Sequence, residues 1–169
     1  EYKVMGLAPY GQPEFVDFFR RMIRPAGDTF QLNPDFFTHQ RSGIKMNWND
    51  GAPTIQPFYS RLLEQQLGPA RQKHEPMTQR HDNIAKSLQV VTEEILMHLL
   101  NRLHAKTKCD NICMTGGVAM NSVANGKITT ATPFKNVYIP AGAADNGTSF
   151  GAAFHVWNRQ LGKPRTFVQ

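Results

Sequence analysis

The feature that most constrains this chain is a repeated pattern of apolar run, turn of small residues and predicted helix within residues 109–153. The first apolar run, 111–114, leads into Thr115-Gly116-Gly117, and the second, 137–139, leads into a turn at 141–147. In α/β proteins, a strand followed by a glycine turn and a helix brings backbone N–H groups and the positive end of a helix dipole to a phosphate. Two such segments within 45 residues predict a nucleotide site.

Asp145 stands in the second turn, just before the predicted glycine-rich and alanine-rich helix. A carboxylate at this position could cap the helix, because Asp accepts hydrogen bonds from the first N–H groups of a helix. It could equally hold a divalent metal, because carboxylate oxygens are hard ligands. The residues alone leave both interpretations open.

The chain opens with a dense motif, EYKVMGLAPYG. Gly6 and Gly11 suit turns or a close approach of two backbones. Lys3 could contact a phosphate as a point charge, or could be an ordinary surface lysine.

Hydrophobic periodicity predicts the remaining elements. It indicates an amphipathic helix over 14–23, a short edge hairpin within 28–37, and a short helix over 58–67. Residues 38–57 are polar and are predicted to be an irregular lid or linker. The clearest helix is predicted over 82–106, with its first residue as the N-cap, and serves as a scaffold.

The chain of 169 residues carries a formal net charge of +6, but its basic residues are scattered. The densest stretch, 71–86, is interrupted by acidic and amide residues, which favours a solvated surface over a nucleic-acid groove.

The two cysteines, Cys109 and Cys113, are four residues apart on a predicted strand, where a disulfide is not expected. We expect reduced, buried thiols and a cytoplasmic protein, since the sequence shows no signal peptide and no apolar run of membrane-spanning length. The first residue is Glu1, not Met, and we expect the chain to be part of a longer protein.

Several common catalytic motifs are absent from the sequence. It contains no GxxxxGK[ST], GxGxxG, GxSxG or HExxH motif. P-loop, Rossmann, hydrolase-elbow and zincin sites are therefore excluded.

Four blocks, taken in order, resemble the O-carbamoyltransferase family of nodulation-factor, cephem-antibiotic and aminoglycoside carbamoyltransferases. These blocks are EYKVMGLAPYG, GPARQKHEPMTQRHDNIAKSLQ, NICMTGGVAMNSVANGKI and VYIPAGAADNGTSFGAA. More distantly, GGVAMN and DNG are similar to elements of the tRNA threonylcarbamoyltransferase. The resemblance implies an α/β fold: part of a ribonuclease-H-like (actin/Hsp70/sugar-kinase-like) domain. In it, 12–80 would be an inserted helical or lid-like region and 82–160 the nucleotide-binding half.

The resemblance also implies a chemistry. A second, C-terminal domain of such enzymes makes carbamoyl adenylate from ATP and carbamoyl phosphate, and the kinase-like domain passes the carbamoyl group to an acceptor hydroxyl. A divalent metal, often iron, is held beside the adenylate by histidines and one aspartate. The matching metal ligand here is Asp145, and the matching nucleotide-binding positions are Gly116, Gly117, Asn121, Asn146 and Gly147, with Lys3 in a further family block.

The chain departs from the family pattern in two respects. The family's metal-binding histidines belong to a segment before Glu1, and its adenylate-forming domain is missing, so we expect the isolated chain to be inactive. No catalytic residue is assigned. Two alternatives remain: a sugar-kinase-like phosphotransferase, which would need a catalytic aspartate in another loop, and a nucleotide-binding or RNA-binding module.

Overall fold

The computed structural model describes residues 2–166 and shows a mixed α/β chain with small sheets. Contacts divide it into a first unit, residues 3–103, and a second unit, residues 104–166 with Tyr2. Glu1 of the opening motif and residues 167–169 lie outside the described residues. The division of 1–169 into an insertion at 12–80 and a nucleotide-binding half at 82–160 stays a prediction.

Helices account for much of the described chain. The α-helices are α1 Tyr2–Leu7, α2 Val16–Met22, α3 His39–Ser42, α4 Arg61–Leu67, α5 Gln79–Thr107, α6 Ser122–Asn125, α7 Ile128–Ala131 and α8 Gly147–Phe154. Three 3₁₀ turns lie at Ala8–Tyr10, Pro34–Phe36 and Gly117–Met120, and α8 continues into a π-helical turn, His155–Gln160.

The strands pair in twos. The strands are β1 Ile23–Ala26, β2 Thr29–Leu32, β3 Met46–Asn49, β4 Ala52–Ile55, β5 Asn111–Cys113 and β6 Asn136–Tyr138. The pairs β1–β2 and β3–β4 are antiparallel hairpins, whereas β5 and β6 are parallel, with Ile112 opposite Val137. The parallel pair belongs to the second unit.

The core of the first unit is built from aromatic residues on and near α2 and aliphatic residues on α5. Its buried members are Phe18, Phe19, Phe36, Val91 and Ile95. The ring centroids of Phe18 and Phe36 lie 5.2 Å apart in an edge-to-face arrangement, which aromatic pairs prefer.

Helix α5 also buries polar side chains, and these accept hydrogen bonds from backbone N–H groups of the segment that precedes α2. The buried Asn83 Oδ1 accepts a hydrogen bond from the Gln12 N–H at 2.8 Å, and the buried Ser87 Oγ accepts one from the Phe15 N–H at 2.9 Å. A Cβ at Gly11 would collide with the backbone of α5 at Asp82, so only glycine allows this approach. The opening motif is therefore joined to α5 by backbone contact.

The long helix was predicted well in its extent but not at its start. Helix α5 begins three residues before Asp82, which lies in the first turn and is not the N-cap. The reason is a reciprocal cap: the Thr78 carbonyl accepts from the His81 N–H at 2.8 Å, and His81 Nδ1 accepts from the Thr78 N–H at 3.0 Å. A histidine here does what Glu or Gln does in a capping box.

The hairpin prediction within 28–37 was displaced, because the observed hairpin runs through β1 and β2, with a turn at Gly27 in the left-handed region (φ 59°). The prediction that 38–57 is irregular was wrong in part, because β3 and β4 form a hairpin there. Its two-residue turn is Asp50-Gly51, both with positive φ, the turn chemistry that matches strand twist.

The cysteines are free, as predicted, but the expectation that they are buried was wrong. Both Cys109 and Cys113 are exposed. Cys113 is exposed because Ile112 is the buried residue of β5 and its neighbours on the strand face outward, whereas Cys109 precedes the strand. Among residues 2–166, no helix is long and apolar enough to cross a membrane.

We expect Asn83→Ala to destabilise the protein by about 1 kcal/mol, because the Gln12 N–H loses the acceptor of a part-buried hydrogen bond. The free energy of unfolding in urea measures this effect. Asn101→Ala, at an exposed position of the same helix, is the matched control and should change stability little. Equal effects of the two substitutions would contradict the role of Asn83.

Candidate functional site

The parallel pair brings the two glycine-containing turns to one edge of its sheet. Cys113 and Tyr138 are register partners at the ends of β5 and β6, and the Met114 N–H donates to the Tyr138 carbonyl at 3.0 Å. Since both strands run the same way, the turns that follow them leave the sheet side by side. Ligands of open α/β sheets bind at this edge, outside the carboxyl ends of the strands.

A single carbonyl ties the two turns together. The Ala143 oxygen accepts a hydrogen bond from the Gly116 N–H at 2.7 Å and another from Thr115 Oγ1 at 2.9 Å. Gly116 has φ 101°, in the left-handed region that only glycine adopts without strain. The two turns therefore form one continuous surface.

This surface borders a cavity of about 560 Å³ in the second unit. Its volume lies in the range of small-molecule and cofactor sites. The lining residues are Thr115, Gly116, Pro140, Gly142, Ala143, Ala144, Asp145, Gly147, Thr148, Phe150 and Phe154.

Close packing of two glycines shapes the wall formed by the second turn. A Cβ at Gly142 would lie 2.6 Å from Cε2 of Phe150, and a Cβ at Gly147 would collide with the Gly142 carbonyl oxygen. The absence of side chains at these positions lets the start of α8 fold against the turn that precedes it.

Some of the predicted site residues line the cavity, and others do not. Gly116, Asp145 and Gly147 line the cavity. Asn146 is exposed and immediately precedes α8, while Gly117 starts the 3₁₀ turn. Lys3 lies on α1 in the first unit and is not among the residues that line this cavity.

Asn121 has a structural partner. It is buried, and its Oδ1 accepts a hydrogen bond from the Ala124 N–H at 3.1 Å, which makes it the N-cap of α6. The helix predicted to follow the first turn, from Val118 to Ala124, is therefore wrong as a single element: it is a 3₁₀ turn followed by α6. Asn121 starts a new helix, because its side chain accepts a hydrogen bond from an N–H group of the first turn of α6. Only the second turn opens a full helix, α8.

Asp145 is exposed and does not cap α8, whose N-cap position is Asn146, with no side-chain cap bond. Its backbone carbonyl accepts from Thr148 Oγ1 at 2.8 Å, and no described residue forms a hydrogen bond or ion pair with its carboxylate. The capping interpretation of Asp145 is therefore wrong. Within residues 2–166, no group of three or more His, Cys, Asp or Glu side chains could hold a metal, so Asp145 could supply one ligand only.

The sequence interpretation missed several residues of the cavity. Thr115 was named only as part of the turn, yet its hydroxyl bonds the opposite turn. Phe150 and Phe154 received no role from the sequence, yet both line the cavity and are more than half exposed. The signal that could have found them is their spacing of four, which places both rings on one face of α8.

The geometry defines an α/β protein with a cavity at the carboxyl ends of a parallel strand pair. Comparison with known proteins gives the family: residues 1–154 match the family described as Carbamoyltransferase N-terminus. The chain belongs to this family, and the resemblance on which the four blocks were interpreted is confirmed.

Individual relatives extend the match over nearly the whole chain. The uncharacterized protein sll1178 of Synechocystis is 38% identical over 98% of this chain and 25% of its own length. The nodulation protein NolO of Bradyrhizobium diazoefficiens is 34% identical over 97% of this chain and 26% of its own length. The nodulation protein NolNO of Sinorhizobium fredii is 33% identical over 100% and 22%. The chain therefore spans about a quarter of the length of these relatives.

We expect Gly147→Ala to destabilise the protein by roughly 1–3 kcal/mol, because the new methyl group overpacks the Gly142 carbonyl. Gly151→Ala in the same helix is the matched control, since a Cβ there meets nothing within 4 Å. The control should be neutral or stabilising by up to about 1 kcal/mol, because alanine favours helix. Urea denaturation distinguishes the two, and a neutral Gly147→Ala would contradict the packing described here.

Proposed function

We propose that this chain is the part of a carbamoyltransferase that binds the nucleotide, ATP or the carbamoyl adenylate made from it, in the cavity between its two turns. The observation that carries the proposal is the joining of the Thr115-Gly116 turn to the 142–147 turn through the Ala143 carbonyl. Family membership makes a transferase the relevant class of enzyme. The fold it would complete is ribonuclease-H-like, and the parallel β5–β6 pair is consistent with such a sheet.

The backbone at the cavity wall suits an anion, and the metal proposed below would offset the negative charge of Asp145, the one charged side chain among the lining residues. The first residues of α8, Gly147 and Thr148, line the wall, so the positive end of this helix dipole lies at the cavity. The N-cap residue Asn146 makes no side-chain cap bond, and the Gly147 and Thr148 N–H groups donate to the carbonyls of Ala144 and Asp145. A phosphate here would therefore be stabilised mainly by the helix dipole. Gly116, Gly117, Asn146 and Gly147 would then surround the phosphate, and Asn121 would hold the first turn in place through its cap.

The reaction proposed for the whole protein has two stages. In the first stage, which takes place in a further, C-terminal domain, water converts carbamoyl phosphate to carbamate and phosphate. A carbamate oxygen then attacks the α-phosphorus of ATP, which forms carbamoyl adenylate and releases pyrophosphate. The oxygen of an acceptor hydroxyl then attacks the carbamoyl carbon, the bond from that carbon to the phosphate oxygen breaks, AMP leaves, and the hydroxyl proton is lost. Donors at the cavity wall would stabilise the charge that develops on the leaving phosphate. No described residue is assigned as the base, and Lys3 stays a predicted nucleotide contact.

A divalent metal, with iron as the expected ion, would supply Lewis-acid stabilisation of the same charge. The described residues do not make a metal centre by themselves, because they offer only one suitable carboxylate in the cavity. We propose Asp145 as one ligand of a metal whose other ligands lie outside this chain.

The experiment that tests the proposal uses the intact protein that contains this chain, with ATP, carbamoyl phosphate, Fe²⁺ and hydroxyl acceptors, and follows AMP and pyrophosphate. We expect pyrophosphate release to depend on carbamoyl phosphate. We expect Asp145→Asn to lower carbamoyl transfer at least tenfold, because the substitution removes the charge and keeps the shape.

Asp110→Asn is the matched control. Asp110 is in the second unit, pairs with Lys135 at 2.7 Å, and does not line the cavity, so its loss should leave transfer unchanged. ADP with a phosphorylated acceptor would instead show a sugar-kinase-like enzyme. Salt-sensitive RNA binding without nucleotide turnover would show a binding module.

A further inference from the structure

We propose that an aromatic cleft beside the candidate cavity binds the planar base of the nucleotide by stacking. The cleft is defined by Tyr138, Phe154 and Trp157, together with Asn158 and the segment 164–166. This inference rests on the proposed function, which places the phosphates of the same nucleotide between the two turns. It adds the site for the base, an adenine if the nucleotide is ATP.

The cleft adjoins the phosphate cavity. It encloses about 520 Å³, and Phe154 lines both the cleft and the cavity between the turns. Tyr138 ends β6, and Pro140, two residues later, lines the cavity. A nucleotide with its phosphates at the turns would therefore reach the cleft with its base, because one side chain forms the border of both spaces.

The aromatic side chains of the cleft are unusually open to solvent. Tyr138 is 65% exposed, Phe154 66% and Trp157 52%. Single exposed apolar residues need no explanation, but a contiguous group of large aromatic side chains marks a binding surface. Stacking on such rings is tolerant of base identity, because every base has a π-face.

The backbone after α8 departs from a regular α-helix where it lines the cleft. The π-helical turn at His155–Gln160 is closed by the Leu161 N–H, which donates to the Val156 carbonyl at 2.9 Å. Isolated π-helical turns are rare and occur frequently at functional sites. Gly162, with φ 63°, then reverses the chain.

The reversed segment is fixed against the helix. The Lys163 N–H donates to the Trp157 carbonyl at 3.1 Å, and Asn158 Nδ2 donates to the Lys163 carbonyl at 3.0 Å. Lys163 Nζ lies 6.0 Å from the centroid of the Trp157 ring, a cation–π distance. The cleft thus combines aromatic walls with cationic and amide groups, including Arg165 and Asn158, which suits a polar heteroaromatic ring attached to phosphates better than a purely apolar ligand.

Photolabelling of the intact protein with 2-azido-ATP tests where the base binds, because the azide is on the adenine ring. Trypsin releases residues 136–159 as one peptide, since this stretch has no internal Lys or Arg. We expect fragmentation of that peptide to place the label on Tyr138, Phe154 or Trp157, and excess ATP to abolish it.

The outcomes separate the two proposals. A label that ATP abolishes but that lies elsewhere, or a Trp157 that is buried by another segment of the intact protein and takes no label, overturns the base site and leaves the proposed nucleotide function standing. The absence of any ATP-sensitive label, together with no ATP binding, overturns both.

Affinity measurements give a second, independent readout. We expect Trp157→Ala to weaken ATP binding about tenfold, as loss of a base-stacking ring does, and to leave binding of inorganic tripolyphosphate unchanged. Trp157→Phe should restore most of the affinity. Trp48→Ala removes an equally large ring, 65% exposed, from the first unit and should have no effect. Equal losses for ATP and tripolyphosphate would indicate a structural role for Trp157 and overturn the stacking site.

Discussion

The first unit depends on one set of hydrogen bonds, in which buried polar side chains of α5 accept from the backbone N–H groups that lead into α2. Asn83 and Ser87 accept hydrogen bonds from the N–H groups of Gln12 and Phe15, more than 70 residues away along the chain. An N–H that folding removes from water and leaves without an acceptor lowers the stability by about 1–3 kcal/mol, more than a typical hydrogen bond contributes. The aromatic core can therefore form only where these bonds are also made. Two of the four family blocks meet beside these bonds for a structural reason: the opening motif ends at Gly11, against the backbone at Asp82, and the second block contains the start of α5.

The second unit depends on a comparable constraint on a smaller scale. The Ala143 carbonyl accepts hydrogen bonds from the Thr115 hydroxyl and the Gly116 N–H of the first turn. The absence of side chains at Gly142 and Gly147 lets α8 begin against the second turn. Small residues are required here because backbone meets backbone, and not because the turns must be flexible. The same compactness leaves a cavity at the strand ends, where a ligand could contact both turns at once. Packing and the proposed binding site thus have one origin.

Local patterns were reliable where a residue's neighbours in sequence are also its partners. The extent of α5, the end of α4 at Gly68 with φ 86°, and the two turns after the strands were all readable in this way. The β3–β4 hairpin was missed although Asp50-Gly51 is a strong hairpin signal and β3 alternates apolar and polar residues. The polar composition of 38–57, with its Gly, Pro and Asn residues, indicated an irregular segment instead. The earlier start of α5 was missed because His81 took the reciprocal capping role that Glu or Gln usually has.

The sequence by itself determined the family, the positions of the glycine turns and the long helix, because motif order and helical periodicity are written in neighbouring residues. Only the tertiary structure decided what individual side chains do. It made Asn121 a buried cap, left the Asp145 carboxylate exposed in the cavity without a hydrogen-bond partner among the described residues, and placed Trp157 in an open cleft. The physical reason is that burial and hydrogen-bond partners arise from segments distant in sequence. Residue type alone does not indicate whether such a partner is present.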